Sequence, residues 1–487
     1  TTGGGAYAMD RDKTYVDTIR VFPENLVVTS QYHFMRSGSA RTLAAMLAEA
    51  DSPLADTRSI PIRVIYTVFE LKDTGYKPRP ADPRVGYFVT DYRDFTRDNK
   101  DDNTVRYVYR WHLEKADPKA AVSPPKQPIV FWLDNAIPLE YRDAVRQGLL
   151  DWNKAFLAAG IKDAIVVKQM PDDADWDHAD MRYNVIRWVT SPSEGYAVAQ
   201  FRVNPLTGQI LNASITVDAN MTRYTKLEMR KVVAPAAQFD NLEAPTASRR
   251  DVYECHYAEE AMQEAWFGHT LLSMISPAGA MLDEDAYTKA FVRNTVTHEM
   301  GHIVGLRHNF VASTAFSMDQ LAKPELVAKE GVAASVMDYT PFNLAAVKQK
   351  GVPYWANCVG RYDVWAVRYG YSEPTPGSGS ESAYLKKLAS KSAEPGHAYG
   401  SDELTDQFDP DITRFDLSSD PLAYWTRSLQ MTRYLMFHLG ERSPRKGESY
   451  WEFTRQLNML VSLYSRAAAS ASRYVGGVKI RGNFRGD

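Results

Sequence analysis

Residues 298–308 read His298-Glu299-Met300-Gly301-His302-Ile303-Val304-Gly305-Leu306-Arg307-His308, which is the pattern H-E-x-x-H-x-x-G-x-x-H. Residues four apart lie on one face of a helix, so His298 and His302 can direct one imidazole nitrogen each at a single metal ion, and Glu299 can reach the metal-bound water. Gly305 can adopt the left-handed conformation that ends a helix, which brings His308 back as a third ligand. Three neutral nitrogen ligands leave a fourth position open, as in catalytic zinc sites. The stretch therefore predicts bound Zn²⁺ and a hydrolase with Glu299 as its general base.

The residues before this stretch favour a helix. Apolar side chains recur at helical spacing over residues 287–297, and Asp283, Glu284 and Asp285 lie at the expected start, where negative charge suits the helix dipole. The short pattern H-E-x-x-H occurs in many helices that bind no metal. The longer pattern arises by chance in a chain of this length with a probability of roughly one in ten thousand, so we interpret it as a functional zinc site.

Farther along the chain, residues 334–339 read Ala334-Ser335-Val336-Met337-Asp338-Tyr339. This segment resembles a Met-turn, and together with residues 298–308 it makes the chain similar to the metzincin metalloproteases. The resemblance implies that Met337 forms an apolar floor beneath the zinc and that Tyr339 stabilises charge that develops near the metal. Without the resemblance, Met337 is a core methionine and Tyr339 a buried aromatic residue whose hydroxyl needs a partner. Both interpretations of Tyr339 stay open.

Three wider segments resemble the large bacterial zinc-dependent metalloproteases of the Met-zincin domain family: residues 305–310 (GLRHNF), 335–341 (SVMDYTP) and 360–366 (GRYDVWA). In that family the catalytic domain follows a β-rich region of unknown function. Asn309, directly after the third histidine, differs from the residue at that place in the best-known metzincin families. Substrate preference therefore does not transfer from them.

The sequence predicts a mixed α+β or α/β fold in three parts. Residues 1–126 form a β-rich N-terminal domain, which contains no cysteine and so cannot place a thiolate on the zinc. Residues 127–371 form a metzincin-like catalytic domain with a five-stranded mixed sheet, an active-site helix and a Met-turn. Residues 372–487 form a helical C-terminal region, with apolar residues at helical spacing in 421–439 and 448–474.

The elements before the zinc helix follow the order that such a catalytic domain requires. We expect strands and helices as follows: a buried strand at 129–133, a helix from 138 to 157, strands at 164–168 and 183–189, and a hairpin of 196–203 and 210–217. Residues 218–281 form an insertion, and its helix-like half, 257–274, could pack beside the cleft.

The first hairpin strand reads Tyr196-Ala197-Val198-Ala199-Gln200-Phe201-Arg202-Val203. The resemblance implies that this strand is the sheet edge that lines the cleft, where an extended peptide adds as another strand through main-chain hydrogen bonds. The alternative is an ordinary edge strand covered by solvent. The position directly before the zinc helix favours the cleft.

Composition and other motifs exclude several classes of function. The chain has 487 residues and a formal net charge of -3, so charge gives no argument for binding nucleic acid or an anionic membrane. No stretch of eighteen or more apolar residues occurs, which predicts no membrane span. The G-x-x-x-x-G-K-[ST] phosphate loop and the G-x-S-x-G elbow are both missing, which argues against nucleotide-dependent and serine-hydrolase mechanisms. No sequence feature indicates an oligomeric state.

The chain has two cysteines, Cys255 and Cys358. Neither belongs to a C-x-x-C pair. A disulfide between them would close a loop of about a hundred residues, and two unpaired thiols are equally compatible with the sequence. The chain starts at Thr1 without an initiator Met or a leader, so we expect a processed or truncated product that is periplasmic or secreted.

These features predict a zinc-dependent endopeptidase that acts on a peptide or protein substrate. Nothing in the sequence marks a pocket for a free chain terminus, which favours an endopeptidase over an exopeptidase. One alternative is a catalytically silent zinc-binding scaffold, although ligation alone needs no general base at Glu299. The other alternative is a zinc hydrolase of a non-peptide amide or ester.

Overall fold

The computed structural model describes residues 6–37, 58–96, 102–191, 195–225, 255–275, 283–347, 349, 351–374, 379–405, 407–440 and 450–485. The chain forms two compact units, Thr1–Gly75 with Ala174–Tyr183, and Tyr76–Asp173 with Asn184–Asp487. The two compact units have other boundaries than the three parts predicted from the sequence, and the three-part division stays a prediction. Residues 76–126 belong to the larger unit, and no division falls between residues 371 and 372.

The smaller unit is built on one antiparallel sheet. Its strands are β1 (Ala6–Met9), β2 (Tyr15–Val21), β3 (Asn25–Ser37) and β4 (Ser59–Phe69). The long strand β3 is central, because β4 pairs along most of its length while β2 and β1 pair with successive parts of it. Residues 174–183 join this unit through Asp177, which accepts a hydrogen bond from Arg20 at 2.5 Å. The β-rich character predicted for the N-terminal part is confirmed.

The larger unit contains a mixed sheet. Its strands are β5 (Val89–Arg93), β6 (Thr104–Val108), β7 (Arg110–Trp111), β8 (Ile129–Leu133), β9 (Ile165–Gln169), β10 (Asn184–Val189), β11 (Ala197–Val203) and β12 (Gln209–Asp218). The main sheet has the order β11-β12-β10-β8-β9, with β11 antiparallel to β12 and the other pairs parallel. The five predicted strands are therefore present. β7 adds a short parallel pairing to the start of β12, and β5 and β6 form a separate two-stranded sheet.

The helices of the larger unit are α1 (Leu139–Leu150), α2 (Asn153–Ala158), α3 (Asn220–Thr225), α4 (Tyr257–Ile275), α5 (Glu284–Ile303), α6 (Met318–Leu321), α7 (Pro324–Glu330), α8 (Arg361–Tyr371), α9 (Glu381–Ala389), α10 (Pro421–Leu439) and α11 (Tyr450–Ser472). Short 3₁₀ turns lie at Ala312–Ala315, Leu344–Val347 and Ser390–Ala393. Among the described residues, no helix has the length and apolar character needed to cross a membrane.

The central helix of the larger unit is α5. It begins as the sequence predicts, because the Asp283 side chain caps the helix by accepting the N–H of Ala286 at 2.9 Å, and Glu284 and Asp285 follow in the first turn. Its last residues from Asn294 to Ile303 are all buried. A helix buried on every side holds its polar side chains away from water, so the histidines at its end need partners inside the protein.

Helix α10 buries only some of its aromatic and apolar side chains. Tyr424, Trp425 and Leu435 are buried, as helical spacing leads one to expect. Tyr434 and Phe437 are exposed, with 38% and 69% of their surface accessible. The apolar side chains of α10 therefore extend beyond its buried face.

Candidate metal centre

The end of α5 carries the predicted metal ligands. His298 and His302 lie one turn apart, and Gly305 with a φ of 102° turns the chain so that His308 returns beside them. An added Cβ at Gly305 would overlap the carbonyl oxygen of Tyr109, so both the backbone conformation and the close packing require glycine. The ligand atoms of the three histidines all lie within 4.8 Å of one another. The structure thus brings the three predicted ligands to one point.

Each imidazole is held through its Nδ1 atom. The acceptors are the carbonyl oxygen of Val336 for His298 at 2.7 Å, that of Leu306 for His302 at 2.9 Å, and the carboxylate of Asp402 for His308 at 2.9 Å. A ring nitrogen that faces an oxygen acceptor carries the proton, so each Nε2 atom keeps a lone pair. The Nε2 atoms of His302 and His308 have no hydrogen-bond partner among the described residues. Converging lone pairs without another partner fit a metal ion.

Burial favours the form of histidine that binds metal. Burial, and then the neighbouring imidazoles, hold the pKa of His298 well below its ordinary value. Burial, and then the charge of His308, lower the pKa of His302 to about 3. A protonated imidazole carries a proton on both nitrogens and has no lone pair for a metal, so the neutral state is the one required. Neutral imidazoles with one open position suit a divalent transition metal such as zinc.

Glu299 lies next to the first ligand and is fully buried. Its Oε1 atom faces the Cys255 thiol at 3.5 Å, and its Oε2 atom has no hydrogen-bond partner in the described part of the chain. Burial raises the pKa of Glu299 to about 8, although the Cys255 thiol and the backbone N–H of Ala199 partly offset this effect. A carboxyl group with such a pKa can both accept and release a proton near neutral pH.

The Met337 segment (residues 334–339) passes under the end of α5. Met337 is fully buried, and an added Cβ at Gly301 would overlap its Sδ atom, so the helix rests directly on the methionine sulfur. Asn309 donates its backbone N–H to the Met337 carbonyl at 3.0 Å and its side-chain amide to Ala398. This packing gives Asn309, the departure from the better-known families, a structural role at the site.

Asp363 at the start of α8 clamps the Met337 segment. Its carboxylate accepts the Ser335 hydroxyl at 2.5 Å, the Val336 N–H at 2.9 Å and the Gly360 N–H at 2.8 Å. Burial raises the pKa of Asp363 to about 6, while these three donors lower it. Residues 360–366 are one of the segments that resemble the Met-zincin family. Nothing in the sequence indicates that the Asp363 carboxylate accepts the Val336 N–H.

Tyr339 is buried against the histidines. Its ring lies 4.9 Å from the His308 ring and 5.6 Å from the His298 ring, measured between centroids. The hydroxyl accepts the backbone N–H of His256 at 2.9 Å and faces the Cys255 Sγ atom at 3.7 Å. The side chain is therefore near the metal position, as the resemblance implies, and its hydroxyl is engaged by the residues before α4.

Cys255 is part of the site, which the sequence did not indicate. Its Sγ atom lies 3.4 Å from the His298 Nε2 atom and within 4.8 Å of the other two ligand atoms. Cys358 lies elsewhere, with its Sγ atom 3.5 Å from the Lys329 carbonyl oxygen. Both cysteines are free, so the disulfide alternative is wrong. The sequence excludes a thiolate ligand from residues 1–126, which contain no cysteine, whereas Cys255 comes from the insertion that precedes α5.

A cavity of about 580 Å³ lies beside the metal position. Its lining includes four residues of β11, namely Ala199, Gln200, Phe201 and Arg202. Among the described strands β11 pairs only with β12, so it is the edge of the sheet, as predicted. The other members of the predicted edge contribute less: Tyr196 precedes the strand, and Ala197, Val198 and Val203 do not line the cavity.

The opposite wall comes from residues assigned by sequence to the N-terminal domain. Phe88, Val89 and Tyr109 line the cavity, and the Phe88 ring packs 5.4 Å from Phe201 and 5.7 Å from His302. Backbone bonds fix this wall, since the Phe88 N–H is donated to the Gly305 carbonyl at 2.9 Å. Sequence reasoning missed these residues and Asp402 because they meet the site through contacts distant in sequence.

Comparison with known proteins gives two matches. Residues 280–487 match a family described as Met-zincin, and residues 2–116 match a family described as "Domain of unknown function (DUF5117)". No curated protein and no solved structure matches the chain. The Met-zincin match includes α5, the three histidines, Met337, Asp363 and Asp402, whereas Cys255 and strands β8 to β12 lie between the two matches.

Proposed function

We propose, from the Met-zincin domain over residues 280–487, that this protein is a zinc-dependent endopeptidase. The domain and the histidine cluster together suggest a zinc metalloprotease. The observation that carries the proposal is the convergence of three buried imidazole Nε2 atoms beside an unpartnered Glu299 oxygen, next to an open sheet edge.

His298, His302 and His308 would hold the zinc. Bound zinc supplies Lewis acidity, which lowers the pKa of water and polarises a carbonyl group. The Nδ1 partners of the three histidines keep the rings oriented and make the Nε2 atoms better donors. Asp402 contributes most to this effect, because it is the charged acceptor of the three.

Glu299 is the general base of the proposed reaction. Its carboxylate takes a proton from the attacking water as the new C–O bond forms, and then gives that proton to the leaving nitrogen as the C–N bond breaks. Burial raises the pKa of the Glu299 carboxyl, and a bound zinc ion would lower it again and favour the carboxylate that accepts the proton. Tyr339 is proposed to stabilise the negative charge on the carbonyl oxygen, which its position beside His308 supports.

Strand β11 is the proposed docking edge for the substrate. An extended peptide would add to it as an antiparallel or parallel strand, so main-chain hydrogen bonds would supply affinity for any sequence. The rings of Phe88 and Tyr109 contact the Phe201 ring, so this part of the cavity lining is aromatic. A flat or aromatic substrate side chain is therefore favoured at that position.

Peptide-library digestion read by mass spectrometry tests the proposal. The zinc-loaded protein is expected to hold about one zinc per chain and to cleave internal peptide bonds. Cleavage should stop with a chelator and return when zinc is restored. Stoichiometric zinc with no cleavage of peptides, but turnover of amide or ester reporters, would favour the non-peptide hydrolase. Zinc without any turnover would favour the scaffold.

A further inference from the structure

The space at the fourth side of the histidine cluster is filled by Cys255. A zinc ion with tetrahedral bonds to nitrogen and sulfur holds those ligand atoms about 3.3 to 3.6 Å apart. The Cys255 Sγ atom lies 3.4 Å from the His298 Nε2 atom, and all four ligand atoms lie within 4.8 Å of one another. The arrangement is close to the one that a single four-coordinate ion requires.

A second observation points to a ligand at the same place. The Nε2 atoms of His302 and His308 and the Oε2 atom of Glu299 have no hydrogen-bond partner among the described residues. These side chains are at least nine-tenths buried, with 4%, 4% and 0% of their surface exposed. Buried polar atoms without partners are costly, so their convergence around one thiol indicates a bound cation.

The residues after Cys255 fix its position. The His256 N–H is donated to the Tyr339 hydroxyl at 2.9 Å, and the Tyr257 ring stacks on the His298 ring at 4.4 Å. Tyr257 is itself buried and accepts a hydrogen bond from Asn294 of α5. The thiol is therefore anchored to the Met337 segment on one side and to α5 on the other.

We propose that Cys255 is the fourth zinc ligand in a resting form of the enzyme. This inference rests on the proposed zinc site, and it adds that the position needed by the substrate is filled by the protein itself. Formation of the sulfur–zinc bond releases the thiol proton, and Glu299 Oε1, 3.5 Å from Sγ, is the acceptor that the thiol faces. The Tyr339 hydroxyl lies 3.7 Å from Sγ, so the thiolate also takes the donor proposed for the substrate oxygen.

The Cys255 side chain thus engages three functional groups at once, namely the metal position, Glu299 and Tyr339. In the resting form the fourth coordination position of the metal is filled, Glu299 contacts the thiol, and the Tyr339 hydroxyl points at the sulfur. Removing the thiolate opens all three together. Cys255→Ala is expected to raise kcat/KM for peptide cleavage about tenfold or more, which corresponds to a resting form in which fewer than one molecule in ten is open.

Cobalt substitution tests the ligand without depending on activity. With zinc replaced by Co²⁺ at one ion per chain, the wild-type chain should show a thiolate-to-cobalt charge-transfer band in the near ultraviolet, and X-ray absorption of the zinc form should show one sulfur neighbour. Cys255→Ala should lose the band and the sulfur neighbour while it still binds one metal ion. Cys358→Ala is the matched control and should keep both, because its thiol contacts the Lys329 carbonyl.

A stoichiometric metal with only nitrogen and oxygen neighbours in the wild-type chain would overturn the proposal and leave the proposed function intact. Failure to bind any metal would refute both. Alkylation provides a second measurement: iodoacetamide should modify Cys255 several-fold more slowly in the zinc-loaded than in the metal-free protein, with Cys358 as the internal reference. Equal rates in the two forms would also overturn it.

Discussion

At the scale of single residues, the site depends on groups that support the ligands as much as on the ligands. Two imidazoles bond carbonyl oxygens, and His308 bonds the Asp402 carboxylate. The Asp402 carboxylate also lies 3.4 Å from the Arg307 guanidinium, which balances its negative charge. The first two predictions separate the chemistry of Glu299 from the support given by Asp402.

Glu299→Gln should abolish peptide cleavage and leave zinc bound. The substitution keeps the shape of the side chain but removes the basic carboxylate, so we expect kcat to fall about a hundredfold or more. His302→Ala should lose both cleavage and zinc, because it removes a ligand. Elemental analysis and a fluorogenic peptide assay measure the two properties. Glu284→Gln, at the other end of α5, is the control, and near-normal turnover by Glu299→Gln would remove Glu299 from the mechanism.

Asp402→Asn should weaken zinc binding about tenfold or more, because the neutral amide holds the His308 ring less firmly and makes its Nε2 atom a poorer donor. Competition with a chromophoric chelator measures the affinity. Glu403→Gln is the matched control, since Glu403 pairs with Arg307 at 2.7 Å and does not reach the histidine. Equal affinities for the two variants would show that the carboxylate does not support the site.

At the scale of elements, the parts with a short sequence period were predicted well. Apolar spacing and acidic residues located α5, and the turn-rich residues 204–208 located the hairpin whose strands span Ala197–Val203 and Gln209–Asp218. The cavity wall from Phe88 and Tyr109 and the clamp from Asp363 could not be predicted. These groups meet the site through contacts between segments that are distant in sequence, and such contacts leave no periodic signal in the chain.

Ala199→Pro tests β11 as the substrate edge. Proline removes the Ala199 N–H, which also bonds Glu299. A lost bond to the substrate main chain should raise KM, whereas a lost bond to Glu299 should change the pH dependence of kcat, and zinc content and circular dichroism should stay unchanged. Ala199→Ser keeps the N–H and serves as the matched control, with kinetics close to the parent. The edge-strand interpretation fails if the proline variant has the same KM and kcat as the serine variant.

Asp363→Ala tests the clamp on the Met337 segment. It leaves the Ser335 hydroxyl and the N–H groups of Val336 and Gly360 without their acceptor, so the free energy of unfolding should fall by about 3 kcal/mol. Asp363→Asn retains one acceptor oxygen and should lose roughly half as much. Urea unfolding of both variants gives the comparison. A loss below about 1 kcal/mol for the alanine variant would show that water replaces the carboxylate.

At the scale of the whole chain, residues after 371 contact the candidate metal centre within the larger unit. Phe415 donates its backbone N–H to the Tyr339 carbonyl at 2.8 Å, and Asp402 holds His308. Asp416 and Asp338 are both buried and repel each other electrostatically. The boundary at residue 371 stays a prediction, since helical spacing within a segment does not show where that segment packs.

The buried Asp338 and Asp416 should make stability depend on pH. Burial, and then the charge of Asp416, raise the pKa of Asp338 well above its usual range, and burial raises that of Asp416 in the same direction. The folded chain therefore holds protons that the unfolded chain releases above about pH 4. Stability from this pair is present at low pH and is lost as the pH rises toward the raised pKa values.

Asp416→Asn should remove much of this dependence. The variant should melt at a higher temperature than the parent near pH 8 and at a similar temperature near pH 5, because a neutral amide has no proton to lose. Scanning calorimetry at several pH values measures the difference. Parallel melting curves across the pH range would show that burial does not hold the Asp416 carboxyl protonated in the folded chain.

His308 and its neighbour Arg307 are held by residues that lie both before and after them in the sequence. Arg307 donates its backbone N–H to the Gly86 carbonyl at 2.9 Å, and His308 bonds Asp402, which is 94 residues farther on. During translation, α5 leaves the ribosome with two ligands long before Asp402 emerges. The three histidines emerge within eleven residues, but a metal ion bound at that stage would lack the support that Asp402 gives to His308. In the proposed zinc site, full affinity for the metal is therefore expected only after this late segment has been synthesised and folded.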